Sequence, residues 1–399
     1  MNRLAPTLFL CLTSLSPTLA ESARPDPRAV LQLATRVADW QIETFDEQTK
    51  YRAISEKQWA RKYKGDPTAP QNHPELGWIN AVFYAGLDAF RDVAKNPRPY
   101  TDWLVEMGDN NDWRPWYRVY YADDHAVGMT WLSLYEDFGD PDMLKELKLV
   151  FDYILKYPKT GNMEYVKPLG YPVFYNDVMN RWGWSDALFM APPVWARMAK
   201  VTGDSKYLDF LSQEYRATYD LLWSDEYHFF YRDSRFKERF EANGQPIFWS
   251  RGNGWVFSGL ALTIPHLPAD WSERAFFEGV FRDMADALAE TQRADGSWSM
   301  GLLGDLKDYP VRESSGTALF THGLAWGINN GLLDRAQFEP VVLEAWAALA
   351  DCVHEDGIFG YVQPVGASPT ETQADKTELY AVGAFLLSAT EVYKMVENE

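Results

Sequence analysis

The chain has 399 residues, 46% of them hydrophobic and 24% charged, which is ample for a large core and excludes a disordered polymer. Its formal net charge is −19, with Lys and Arg scattered and without a basic run, so nucleic acid and anionic membrane surfaces are poor candidate partners. The 17 Trp, 22 Tyr and 22 Phe stand out, because aromatic side chains serve both large cores and the flat faces on which sugar rings pack.

Residues 1–20 read as a signal peptide. Arg3 supplies the positive start, 4–19 is largely apolar, and Thr18-Leu19-Ala20 offers a small-x-small cleavage site. The run is too short and too interrupted to span a bilayer, so the expected destination is the periplasm or the medium. Cys11 lies within this run, and the bulky Leu10 before it argues against a lipid anchor. After cleavage Cys352 has no partner for an intramolecular disulfide, and it is expected as a buried apolar residue.

From there, apolar residues recur at three- and four-residue spacing. The spacing predicts helices over 28–46, 75–94, 98–107, 124–138, 141–156, 185–200, 204–222, 251–265, 272–293, 314–330, 335–353 and 376–396. Breaks such as Phe138-Gly139-Asp140-Pro141 and Thr202-Gly203-Asp204-Ser205 close one helix with Gly and open the next with Asp or Ser. Twelve helices make six hairpins of roughly 60 residues, the period of an α/α toroid. The best β signal is a short hairpin over 227–232. No linker-like stretch follows residue 27, so 21–399 is expected as one (α/α)6 domain, with functional residues where inner helices meet long loops.

Six histidines (His73, His125, His228, His266, His322 and His354) show no paired ligand spacing, and no phosphate or dinucleotide loop is present, so neither metal nor cofactor is expected. Carboxylates remain. Asp123 and Asp124 precede a helix, where each could cap it or face a cavity. Asp186 sits in Trp182-Gly183-Trp184-Ser185-Asp186 before an apolar turn; burial there raises a carboxyl pKa, as a general acid near neutrality requires. Phe248-Trp249-Ser250-Arg251-Gly252-Asn253-Gly254-Trp255 places a guanidinium and an amide between indoles, a pattern suited to a carboxylate and a sugar plane.

The segments WSDALFMAPP (184–193), FWSRGNGW (248–255), ESSGTALFTHGLAWGINNGLL (313–333) and TELYAVGAFLLSATEVYK resemble the unsaturated rhamnogalacturonyl hydrolases, glycoside hydrolase family 105, relatives of the unsaturated glucuronyl hydrolases of family 88. The likeness runs from about residue 75 to the C-terminus. It implies an (α/α)6 barrel that removes a 4,5-unsaturated uronic acid from lyase-generated oligosaccharides without a cofactor. It implies Asp186 as the catalytic acid and Asp123, or less well Asp124, as its partner. Arg251 and Trp255 are implied as substrate-binding, then Trp249 and Tyr84; Trp184, Arg232 and Asn253, beside them in the same motifs, are expected to bind substrate as well. Where pectin-specific members carry His and Lys this chain has Tyr175-Asn176, and a second family His falls near Tyr231-Arg232, so an unsaturated glucuronyl substrate is a live alternative. A polysaccharide lyase, using a base such as Tyr231 beside Arg232, or an ordinary inverting glycosidase, is the competing reading.

Overall fold

A computed structural model describes residues 24–54, 72–165 and 177–397; the expected signal peptide and Tyr175-Asn176 lie outside the described residues. Among the described residues, twelve helices longer than ten residues form six consecutive pairs. They are α1 (Pro27–Glu43), α2 (Trp78–Arg91), α3 (Arg98–Asn110), α4 (Gly128–Phe138), α5 (Asp142–Lys156) and α6 (Pro192–Thr202). Then come α7 (Lys206–Leu222), α8 (Ser250–Thr263), α9 (Arg274–Thr291), α10 (Ser314–Asn329), α11 (Arg335–Ala350) and α12 (Leu379–Glu397).

Helices α2, α4, α6, α8, α10 and α12 pack each on the next, and α12 closes on α2, giving an inner ring. The outer helices cover it, with α1 lying against α12. Burial follows this assignment. On α5 only Met143, Leu147, Phe151 and Ile154 are buried, a single stripe at helical spacing, whereas α10 is buried from Ser314 to Ile328. The expected α/α toroid is therefore present. Where α2 and α12 cross, a Cβ on Gly86 would stand 2.2 Å from the Gly383 carbonyl oxygen, so the two backbones touch without side chains between them. Helix α12 is long and apolar enough to cross a bilayer, but it is a buried barrel stave.

The Gly-Asp breaks form as expected. Gly139 and Gly203 end α4 and α6 at φ 67° and 68°, and Asp140 and Asp204 accept from the backbone N–H of residues 142 and 206. Two expected helices are split. Residues 122–125 form a single turn before α4, and 187–190 a single turn before α6, which begins at Pro192-Pro193 because proline is tolerated only in a first turn. The hairpin is shorter than expected and shifted toward the N-terminus: Trp223-Ser224 pairs antiparallel with Phe229-Phe230. Cys352 is buried.

Candidate active site

The turn 122–125 packs on the turn 187–190, which packs in turn on α8, and Gly252 in the first turn of α8 comes up against Ser185. Trp184 pairs with Asp233 through an isolated bridge, and the Ser185 N–H donates to the Arg232 carbonyl at 2.9 Å, which brings the 232–233 strand end beside Asp186.

Two of the expected acids come together. Asp123 is 8% exposed, and its Oδ1 has no hydrogen-bond partner among the described residues. Burial, then the charge of Asp186, pushes its pKa up to about 7 against the opposing pull of Arg118 and Arg232. Asp186 is also raised, first by burial, while Arg232 and then Arg251 draw it down. Its Oδ2 accepts from Ser185 Oγ at 3.2 Å and lies 3.3 Å from Arg232 Nε. Arg232 is held in turn by Asp233, Nη1 to Oδ2 at 2.8 Å, so its guanidinium bridges the two carboxylates. The wall beside them is aromatic: Tyr121 packs on Trp184 with ring centroids 5.2 Å apart, and the Arg118 guanidinium lies 3.7 Å from the Tyr121 ring centre.

Asp124 is corrected to a structural anchor. Both of its oxygens accept from the Arg118 side chain, at 3.0 and 3.1 Å from Nε, and Oδ2 also accepts from the Arg118 N–H at 2.8 Å. Neither Asp123 nor Asp124 caps its helix through a side chain. The role of Arg251 as an open carboxylate fork is also corrected. It is 1% exposed; Nη1 donates to the Gln363 carbonyl at 3.0 Å and to the Tyr380 hydroxyl, and Nη2 to the Pro364 carbonyl at 3.0 Å. Both terminal nitrogens thus clamp the loop before α12, and only Nε is left without a partner.

Four further expectations are corrected by burial. Trp255 is enclosed by Phe189, Trp78 and Tyr380, so it offers no open face. Trp249 is enclosed as well, with its Nε1 donating to Gln363 Oε1 at 3.0 Å. The Tyr84 hydroxyl donates to the Glu75 carbonyl at 3.0 Å, and its ring stacks on Trp131 inside the barrel. Asn253 exchanges hydrogen bonds with both backbone groups of Phe230, tying the hairpin to α8. Arg232 stands against Asp186, and Trp184 lies two residues before that acid, bridged to Asp233.

His125 and His322 are no rivals as acid–base groups: burial draws both down to about 4, leaving them neutral and structural. Among the described residues no cluster of His, Cys, Asp or Glu could hold a metal ion. Sequence reasoning missed Arg118 and Tyr121, although the run Trp116-Tyr117-Arg118-Val119-Tyr120-Tyr121 directly before Asp123 carried the signal.

Residues 33–396 match the family described as Glycosyl Hydrolase Family 88. An unsaturated 3S-rhamnoglycuronyl hydrolase of Alteromonas sp. (strain LOR) is 39% identical over 319 residues, which is 79% of this chain and 77% of that one. A glycosyl hydrolase family 88 structure from Bacteroides vulgatus superposes with a TM-score of 0.76 at 27% identity, covering 93% of this chain and 100% of that chain. A structure named polysaccharide lyase superposes equally well, TM-score 0.76 at 26% identity, over 94% of this chain and 99% of that chain.

Proposed function

The chain belongs to glycosyl hydrolase family 88, and from that premise we propose that it removes a 4,5-unsaturated uronic acid from the non-reducing end of an oligosaccharide. The observation that carries this reading is the buried Asp123 beside Asp186, whose side chain keeps 13% of its exposure, with one cation, Arg232, set against Asp186. Two interacting carboxyls titrate as a unit. With Asp123 pushed up to about 7, the pair holds a proton up to near neutrality, and the Arg232 contact favours Asp186 as its ionised member at rest. The proton donor named by the resemblance, Asp186, therefore works as half of a pair that keeps its proton on the Asp123 side.

An unsaturated uronate is a vinyl ether, so its C4 accepts a proton while positive charge spreads over C5 and the ring oxygen. The protonated member of the pair supplies that proton, and the ionised member draws one from the water adding at C5. The resulting hemiketal opens to a C5 ketone, and C1 then expels the neighbouring sugar as an alcohol; one water is consumed. The ionised carboxylate, buried beside the developing positive charge, stabilises it more than water does. The relative named for rhamnoglycuronyl substrates supports a rhamnose as the sugar released. Replacement of the pectin-type His and Lys by Tyr175-Asn176 supports a glucuronyl over a galacturonyl unit as the uronate removed.

The structural neighbour named as a lyase favours a second reading, in which a tyrosine takes a proton from C5 of an intact uronate. The local chemistry gives it little support. Tyr231 packs on Phe248 at 4.7 Å, and burial raises its pKa, away from the value a base requires. The two readings separate in heavy water. Hydration places solvent deuterium at C4 of the released uronate, whereas a lyase generates new unsaturated ends; release of saturated uronate without C4 label overturns the hydration reading.

A further inference from the structure

We propose that Tyr120, Tyr153 and Tyr157, with Lys156 and Lys159 beside them, form an outer subsite that binds the reducing-end portion of long anionic oligosaccharide substrates. The proposal rests on the reading of this chain as an unsaturated uronyl hydrolase and concerns a surface outside the acid pair.

Helix α5 belongs to the outer layer, and its buried stripe is Met143, Leu147, Phe151 and Ile154. The far face of such a helix is ordinarily polar. Here it carries Leu149 and Tyr153, with Tyr157 one turn further on, and these residues are 63%, 49% and 51% exposed. The rings gather. Tyr153 lies 5.0 Å from Tyr157 and 6.2 Å from Tyr120, centroid to centroid. The Tyr120 hydroxyl donates to the Tyr157 carbonyl at 2.7 Å, which fixes its ring against the end of α5. An exposed cluster of this kind marks an interaction surface, and tyrosine presents a flat face at little cost in side-chain entropy.

Two cations join it. Lys159 Nζ stands 4.8 Å from the Tyr120 ring centre, and Lys156 Nζ 5.3 Å from that of Tyr157. Neither ammonium has a carboxylate partner among the described residues, whereas Lys148 and Lys206 nearby both bind Asp152. In a chain of net charge −19 this pair makes a local positive surface. Aromatic faces for sugar rings, with ammonium groups for anionic substituents, match an oligosaccharide cut by a lyase from a uronate polymer.

The surface is continuous with the acid site. Tyr120 precedes Asp123 by three residues, so their Cα atoms lie within about 11 Å. Between them Tyr121 packs on Trp184, and Arg118 both stacks on Tyr121 and clamps Asp124, which holds the connecting run rigid. The unsaturated unit is the non-reducing end of its chain. With that unit at the acids, the remaining sugars lead outward toward the reducing end, where the platform offers stacking and charge.

The test compares wild type with Tyr153→Ala/Tyr157→Ala and with Lys156→Gln/Lys159→Gln. The substrates are an unsaturated disaccharide and an unsaturated hexasaccharide cut from the same polymer. Wild type should show the lower KM for the hexasaccharide. The tyrosine variant should raise that KM by about tenfold, equivalent to about 1.4 kcal/mol, with kcat unchanged. The disaccharide, too short to reach the platform, should be turned over as by wild type. The lysine variant should flatten the salt dependence of the hexasaccharide KM, because the lost attraction is the part that ions screen. Unchanged hexasaccharide kinetics in the tyrosine variant, or a parallel loss on both substrates, overturns the subsite and leaves the hydrolase reading intact. The subsite is equally overturned if the variants lose binding only to intact polymer in affinity electrophoresis, since the surface then serves attachment and not turnover. No turnover of any unsaturated oligosaccharide by wild type overturns the hydrolase reading itself, and the subsite with it.

Discussion

Replacing Arg232 with Gln removes the cation from Asp186 while leaving Asp233 paired, because Arg235 binds both Asp233 oxygens at 2.8 Å. Arg232 Nε lies 3.3 Å from the Asp186 carboxylate. With charge centres about 4 Å apart, Coulomb's law gives about 4 kcal/mol at an effective dielectric near 20. The side chains keep 14% and 13% of their exposure, so about half of that attraction should be expressed, equivalent to about one and a half pH units. Arg232 favours the carboxylate, and removing it must therefore raise the pair's lower ionisation. Catalysis needs one ionised member, so the acidic limb of the kcat/KM profile moves to higher pH by about that amount. The limbs of kcat/KM report the free enzyme, so loss of an Arg232 contact to substrate lowers the curve without displacing them. An acidic limb that stays in place, or moves to lower pH, in a folded variant refutes the electrostatic account of the pair.

Other expectations follow from the same contacts. Asp123 titrates near 7 in the folded chain and near about 3.9 unfolded, so its stabilising contribution is full below about pH 4 and is lost as pH rises through about 7, by up to about 4 kcal/mol. Thermal melts of Asp123→Asn should therefore depend less on pH over this window and gain on wild type at pH 8; parallel curves would contradict the assigned ionisation. Arg251→Met leaves the Pro364 carbonyl without its donor and should cost about 2–4 kcal/mol in urea unfolding, far more than loss of a solvent-facing ligand arginine. Gly86→Ala sets a methyl against the Gly383 carbonyl and should destabilise by about 1–3 kcal/mol or more by the same assay.

The barrel was legible in the sequence because helix periodicity is local: a single stripe on α5 and the continuous apolar run of α10 each announce their layer. The break before Pro192 was present in the residues but hidden by an apolar run that continued through it. Asp186 and Asp123 were recognisable from motif likeness and neighbouring aromatics. The role of Arg251 was not, since whether a guanidinium is open or committed depends on carbonyls 112 and 113 residues further along. Trp255, Tyr84 and Asn253 show the same limit: their residue types suit a sugar, and only tertiary packing reveals that barrel and hairpin use them.

The most direct test is the ultraviolet absorbance of the conjugated C=C–COO⁻ group in lyase-generated oligosaccharides, followed with wild type beside Asp186→Asn. A steady fall with wild type, reduced by at least about a thousandfold in the variant, is the predicted result. No fall with any unsaturated substrate, or an equal fall with both proteins, contradicts hydration by the Asp123–Asp186 pair.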